Sequence, residues 1–207
     1  MRRAPRLLAA AVGLLVAGFL GSTTAAFSAV TENPANTFQA APSFCGVRTL
    51  AAAGDAWVVT NPSGANHGGD AELYVVSRAQ DRRTFVAFDL PPVPAGCALT
   101  DARLRLRATS STGARTILAY RVSSGWTEGG VTWAIQPGTS GPPASSPSGT
   151  GWREWPVLQQ VLEMYASGNH GFMLRDQVEG SGGGGFTQVY DSRESGPDGP
   201  ALVLTFG

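Results

Sequence analysis

The chain has 207 residues, with Lys+Arg 15 against Asp+Glu 15; every cation is an arginine, and only 14% of residues are charged. That balance excludes a strongly basic nucleic-acid binder and an acidic disordered tail. Gly 27 and Pro 14, in a chain that is 43% hydrophobic, fit a strand-and-turn domain with a real core.

Taken in chain order, the first predicted element is an address. Arg2, Arg3 and Arg6 precede an apolar run from Leu7 to Leu20, followed by the small residues Gly21 to Ala26. This is the layout of a secretory signal peptide over 1–26. A membrane span needs ~20 apolar residues, and this run turns polar too soon. Thr24-Ala25-Ala26-Phe27-Ser28, with Asn36-Thr37-Phe38 downstream, resembles the SipW-type signals of the camelysin family, although no acidic residue comes just after Ser28. The resemblance implies cleavage between Ala26 and Phe27. The remaining chain would carry 12 arginines against 15 acids, a net charge of −3. It would be secreted, with no permanent membrane anchor.

Residues 27–46 are polar, small and aperiodic, and read as an extended tail. Cys45 and Cys97 are the only cysteines. In an oxidising compartment such a pair is expected to form a disulfide, with free buried thiols as the alternative.

The domain is expected over 47–207. Short apolar segments separated by Gly/Pro turns predict strands at Val47–Ala51, Ala56–Thr60, Glu72–Arg78, Arg83–Leu90 and Ala98–Ala108. Further strands are expected at Arg115–Val122, Gly151–Val157, Gly171–Arg175, Phe186–Ser192 and Ala201–Phe206. Gly138 to Gly151 reads as a long loop. Within Ala102–Ala108, the apolar Ala102, Leu104, Leu106 and Ala108 alternate with Arg103, Arg105 and Arg107. A period of two puts the two sets on opposite faces. Three- and four-residue spacing predicts one helix over Val157–Tyr165, stopped by Gly168. The fold class is all-β: a jelly-roll-like antiparallel β-sandwich with one short helix.

Several blocks occur in a telling order. They are Asp55-Ala56-Trp57-Val58, Asn66-His67-Gly68, Leu73-Tyr74-Val75, Arg83 to Leu90, Pro94 to Cys97 and Ala102 to Leu106. Trp126-Thr127-Glu128, Val131-Thr132-Trp133, Gln136-Pro137, Asn169-His170-Gly171-Phe172, Ser192-Arg193-Glu194 and Pro200 to Leu204 follow. Together they resemble the DNRLRE-type domain, which is related to carbohydrate-binding module family 96. The literal naming motif is absent; Asp81-Arg82-Arg83 is a partial echo. The resemblance implies a sandwich module of secreted and cell-wall proteins, some of which bind acidic polysaccharide.

No catalytic machinery can be nominated. There is no GxSxG elbow. Gly180 to Gly185 fits GxGxxG, but a strand-like segment follows where a dinucleotide site needs a helix. Glu128, Glu154, Asp176, Glu179, Asp191 and Glu194 offer no spacing that selects an acid–base pair, and Glu128 reads as fixing a turn beside Trp126. His67 and His170 both sit in Asn-His-Gly and read as tight turns. No metal ligand set is therefore expected, and no cofactor; a structural calcium is left open.

Two ligand-binding features stand out. Arg103, Arg105 and Arg107 form a row whose successive members are ~7 Å apart, a spacing suited to repeated anionic groups. Its alternative is a solvated outer face guarding an edge strand. Trp152 and Trp155, beside the long loop, are the aromatic pair expected to be exposed. The functional expectation is a secreted, non-catalytic module for an anionic polysaccharide or cell-wall glycan. Its rivals are a structural matrix protein and a glycan-active enzyme. No nucleic-acid partner is expected, and the oligomeric state is left open.

Overall fold

The computed structural model describes residues 44–180 and 185–207. The expected signal segment 1–26, the expected cleavage between Ala26 and Phe27 and nearly all of the expected tail 27–46 lie outside the described residues.

Eleven strands form one continuous, curled antiparallel sheet. They are β1 (Val47–Ala51), β2 (Gly54–Val59), β3 (Glu72–Ser77), β4 (Arg82–Ala87), β5 (Leu99–Ser111) and β6 (Thr116–Val122). The remainder are β7 (Thr139–Pro147), β8 (Gly151–Pro156), β9 (Phe172–Asp176), β10 (Phe186–Asp191) and β11 (Ala201–Phe206). The path runs β1-β11-β5-β10-β3-β4-β9-β6-β7, with β2 on β4 and β8 on β5. The expected all-β, sandwich-like class is what the chain adopts.

The enclosed face carries the main core. Leu104, Leu106, Trp155, Phe172, Tyr190, Leu202 and Leu204 are completely buried there. The alternation in β5 works as expected, with Ala102, Leu104, Leu106 and Ala108 inside. A second, smaller core lies on the other face of β2, β4 and β9. Ala56, Val58, Phe85 and Met173 pack there with Val122 and Val131, beneath the half-buried Trp126 and Trp133. Because both its faces are covered, every residue of β2 is buried.

The one α-helix among the described residues, α1 (Leu158–Ser167), buries Gln160, Val161 and Met164 and ends at Gly168. Its start and end lie one and two residues beyond those predicted. Where a loop was expected over 138–151, Thr139–Pro147 instead pairs with β6 as β7. It is a terminal strand of the path, where Pro142 and Pro143 cost no central ladder bonds. Cys45 and Cys97 are joined as a disulfide, fastening the residue ahead of β1 to the approach to β5.

Candidate functional site

The arginine row stands on the outer face of β5, but its charge is already met. Arg103 pairs with Asp101 at 2.9 Å and Glu154 at 3.7 Å. Arg105 pairs with Glu154 at 2.8 Å. Arg107 reaches Asp191 at 3.0 Å and Asp198 at 3.1 Å. Three arginines thus meet four carboxylates, and an incoming polyanion would have to displace them. Nor is β5 an edge strand here: β8 covers one side of it, β10 and β11 the other.

The two tryptophans part company. Trp152 is half-buried, with the Arg105 guanidinium 4.8 Å above its ring. Trp155 is 0% exposed and donates its indole N–H to the Ile117 carbonyl at 2.8 Å. The expectation that both indoles present a face to ligand is corrected for Trp155. A spacing of three along one strand sends the side chains to opposite faces.

A different pair of arginines is short of anionic partners. Tyr74 and Val76 of β3, Arg78 and Gln80 of the connecting turn, Arg82 of β4 and Thr187 of β10 line an open groove of about 310 Å³. The turn is held by the Arg78 amide donating to Asp81 at 3.2 Å. The register sets Val76 opposite Arg82. The Arg78 guanidinium donates to the Thr187 hydroxyl at 2.8 Å. Arg82 lies 4.5 Å over the Trp57 ring and 4.9 Å over Tyr74. Among the described residues, neither guanidinium is ion-paired to a carboxylate. Burial pushes Arg82 below the usual guanidinium range; Tyr74 opposes this and the like charge of Arg78 adds to it. An anion in the groove would relieve both effects. Tyr74 and Arg82 fall in the blocks that carry the family resemblance, but these residues were not read as a site from the sequence. The signal was nonetheless present: Tyr74, Val76 and Arg78 alternate on one face of β3, and a tight turn returns Arg82 beside them.

An acidic corner lies at the end of β2. Asp55 of β2, Glu128 of the loop covering the second core and Glu194 of the turn after β10 bring carboxylate oxygens within 4.8 Å of one another. The Asp55 amide donates to Glu128 at 3.1 Å, and the Arg193 amide donates to Asp55 at 2.8 Å. Ser192 donates its hydroxyl to Glu194 at 2.7 Å. The Asn66 side chain clamps the Glu128 loop through the carbonyls of Glu128 at 2.7 Å and Val131 at 2.8 Å. Burial raises the Asp55 carboxyl from 3.8 to about 7; Glu194 and Glu128 push the same way, while the Arg193 amide and side chain oppose them. Glu128 therefore does more than fix its own turn. Sequence reasoning could not pair it with Asp55 or Glu194, because 73 residues separate Glu128 from Asp55.

The first Asn-His-Gly segment leads into a turn at Gly68, as expected, with His67 bridged to Trp57; the second, 169–171, is irregular backbone between α1 and β9. His67 stacks on Trp57 with ring centroids 3.5 Å apart and meets Asp70 at 3.1 Å. In the second, the Asn169 side chain accepts the Gly171 amide at 3.1 Å.

Residues 47–206 match carbohydrate-binding module family 96. The chain belongs to that family. The match covers all eleven strands, so both the arginine groove and the acidic corner lie inside the module. No curated protein matches the chain.

Proposed function

We propose that this module binds an anionic polysaccharide outside the cell, without turning it over, through the groove lined by Tyr74, Arg78, Gln80, Arg82 and Thr187. The observation that carries the reading is the pair Arg78 and Arg82. Both guanidinium groups lack a carboxylate partner among the described residues and open on one polar groove. Guanidinium groups suit carboxylate and sulfate because their planar fork donates two parallel hydrogen bonds. Gln80 and Thr187 add neutral polar groups for sugar hydroxyls, and Tyr74 supplies an aromatic edge. The open, shallow shape suits the side of an extended chain.

The test is affinity electrophoresis of the protein in gels containing a polyuronate, a sulfated polysaccharide or a neutral glucan. Retardation by an anionic polymer, weakening as salt rises, is expected, because exposed contacts are screened over ~8 Å at physiological ionic strength. Arg78→Gln with Arg82→Gln should abolish the retardation, and the polymer should keep its chain length. Salt-independent retardation by the neutral glucan, or undiminished retardation of the double variant, would overturn the reading.

A further inference from the structure

We propose that Asp55, Glu128 and Glu194 form a binding site for a divalent cation of the calcium class. This is independent of the glycan groove. The three carboxylates come from three distant stretches of chain, yet their ligand atoms lie within 4.8 Å of one another. Like charges at that range repel, and the fold keeps them together.

A second observation points into the same place. Asp55 is 1% exposed, and its Oδ1 is buried with no hydrogen-bond partner. Its other oxygen is already used by the Arg193 amide. Leaving a buried carboxylate oxygen unsatisfied incurs its full desolvation penalty, which a ligand for that oxygen would relieve.

Among the described residues, the countercharge ion-paired within the cluster is Arg193. Its Nε stands 3.4 Å from Glu128 and 3.3 Å from Glu194. With all three carboxylates ionised, as a bound cation would require, one guanidinium leaves an excess of two negative charges, the charge of one divalent ion. The donor set is all oxygen, with no thiolate or imidazole among the three. Hard cations such as calcium choose that set, whereas zinc and copper favour nitrogen and sulfur. Calcium also accepts irregular geometry with water completing its shell, which suits ligands arriving from a strand, a loop and a turn. The site would tie β2, the loop over the second core and the segment after β10 into one unit.

The probe is calcium chloride alone, titrated calorimetrically into the full chain after chelator treatment, with melting temperature followed in parallel. Saturable one-to-one binding is expected, of the order of 10⁻⁴–10⁻³ M as in other extracellular calcium modules, with a melting temperature that rises on addition and falls back with chelator. Glu194→Gln, at a largely exposed position, should fold normally and bind about tenfold or more weakly. Arg193→Gln should bind more tightly, because the competing cation is gone; a purely structural ion cluster would not show that gain. Absence of both heat and melting shift at millimolar calcium would overturn the proposal. So would Glu194→Gln and Glu128→Gln variants that bind calcium as the parent does.

Discussion

Arg105 and Glu154 face each other across the β5–β8 pair, with Nε and Oε1 2.8 Å apart. Glu154 also lies 3.7 Å from the Arg103 guanidinium. One carboxylate from the neighbouring strand therefore serves two members of the arginine row. Asp191 and Asp198 serve the third. The outer face of β5 is an ionic lattice in which every arginine of the row is met by at least one carboxylate.

The first prediction follows from that lattice. Replacing Arg103, Arg105 and Arg107 together with glutamine should leave the protein folded, because their stems lie on the face opposite Ala102, Leu104 and Leu106. Exposed ion pairs contribute ~0–1 kcal/mol each, so the loss in urea denaturation should be small. Retention of anionic polysaccharide should persist. If retention vanished from a well-folded triple variant, the ligand would sit on the β5 face.

The tryptophans of β8 should separate sharply in stability. Trp155→Ala removes a completely buried indole and its hydrogen bond to Ile117, and should cost ~3–5 kcal/mol. Trp152→Ala removes a half-buried ring under Arg105 and should cost much less. Equilibrium urea unfolding of the two variants compares them directly; equal losses would contradict the burial difference.

The disulfide should matter to the whole domain. Its separation of 52 residues gives ~4 kcal/mol by loop-closure entropy. The bond also anchors β1, which is largely exposed and pairs along one edge with β11. A Cys45→Ser/Cys97→Ser variant should melt at a markedly lower temperature. Hydrogen exchange in β1 and β11 should rise most.

Two glycines with similar backbone angles should respond differently to alanine. Gly96 has φ 78°, and nothing stands within 4 Å of a Cβ placed there. Gly171 has φ 76°, and a Cβ there would run into the Val86 carbonyl oxygen. Gly96→Ala should carry only the conformational cost of a left-handed residue, ~1 kcal/mol. Gly171→Ala should cost considerably more, because it adds a backbone collision between β4 and the start of β9. Matched chemical denaturation of both variants checks the ordering.

The sequence by itself determined whatever depends on local periodicity and composition. Alternation along Ala102–Ala108 fixed which side of β5 faces the core, and turn residues bounded ten of the eleven strands to within a few positions. The order of weak blocks from Asp55 to Leu204 pointed to the family that residues 47–206 match. The expectation that Trp152 and Trp155 are exposed together failed for Trp155, because an odd spacing in a strand means opposite faces. β7 was not legible. Thr139–Pro147 has little apolar alternation and two prolines, and becomes a strand only because β6 offers it an edge. Tertiary structure alone decided which charges are satisfied. Arg107 finds its partners 84 and 91 residues away, and Asp55 meets Glu128 across 73. An arginine's partners are set by strand register and loop return, which bring together residues with no relation along the chain. For that reason the conspicuous row on β5 is neutralised, whereas Arg78 and Arg82, not read as a ligand site in the sequence, open on a groove without a carboxylate partner among the described residues.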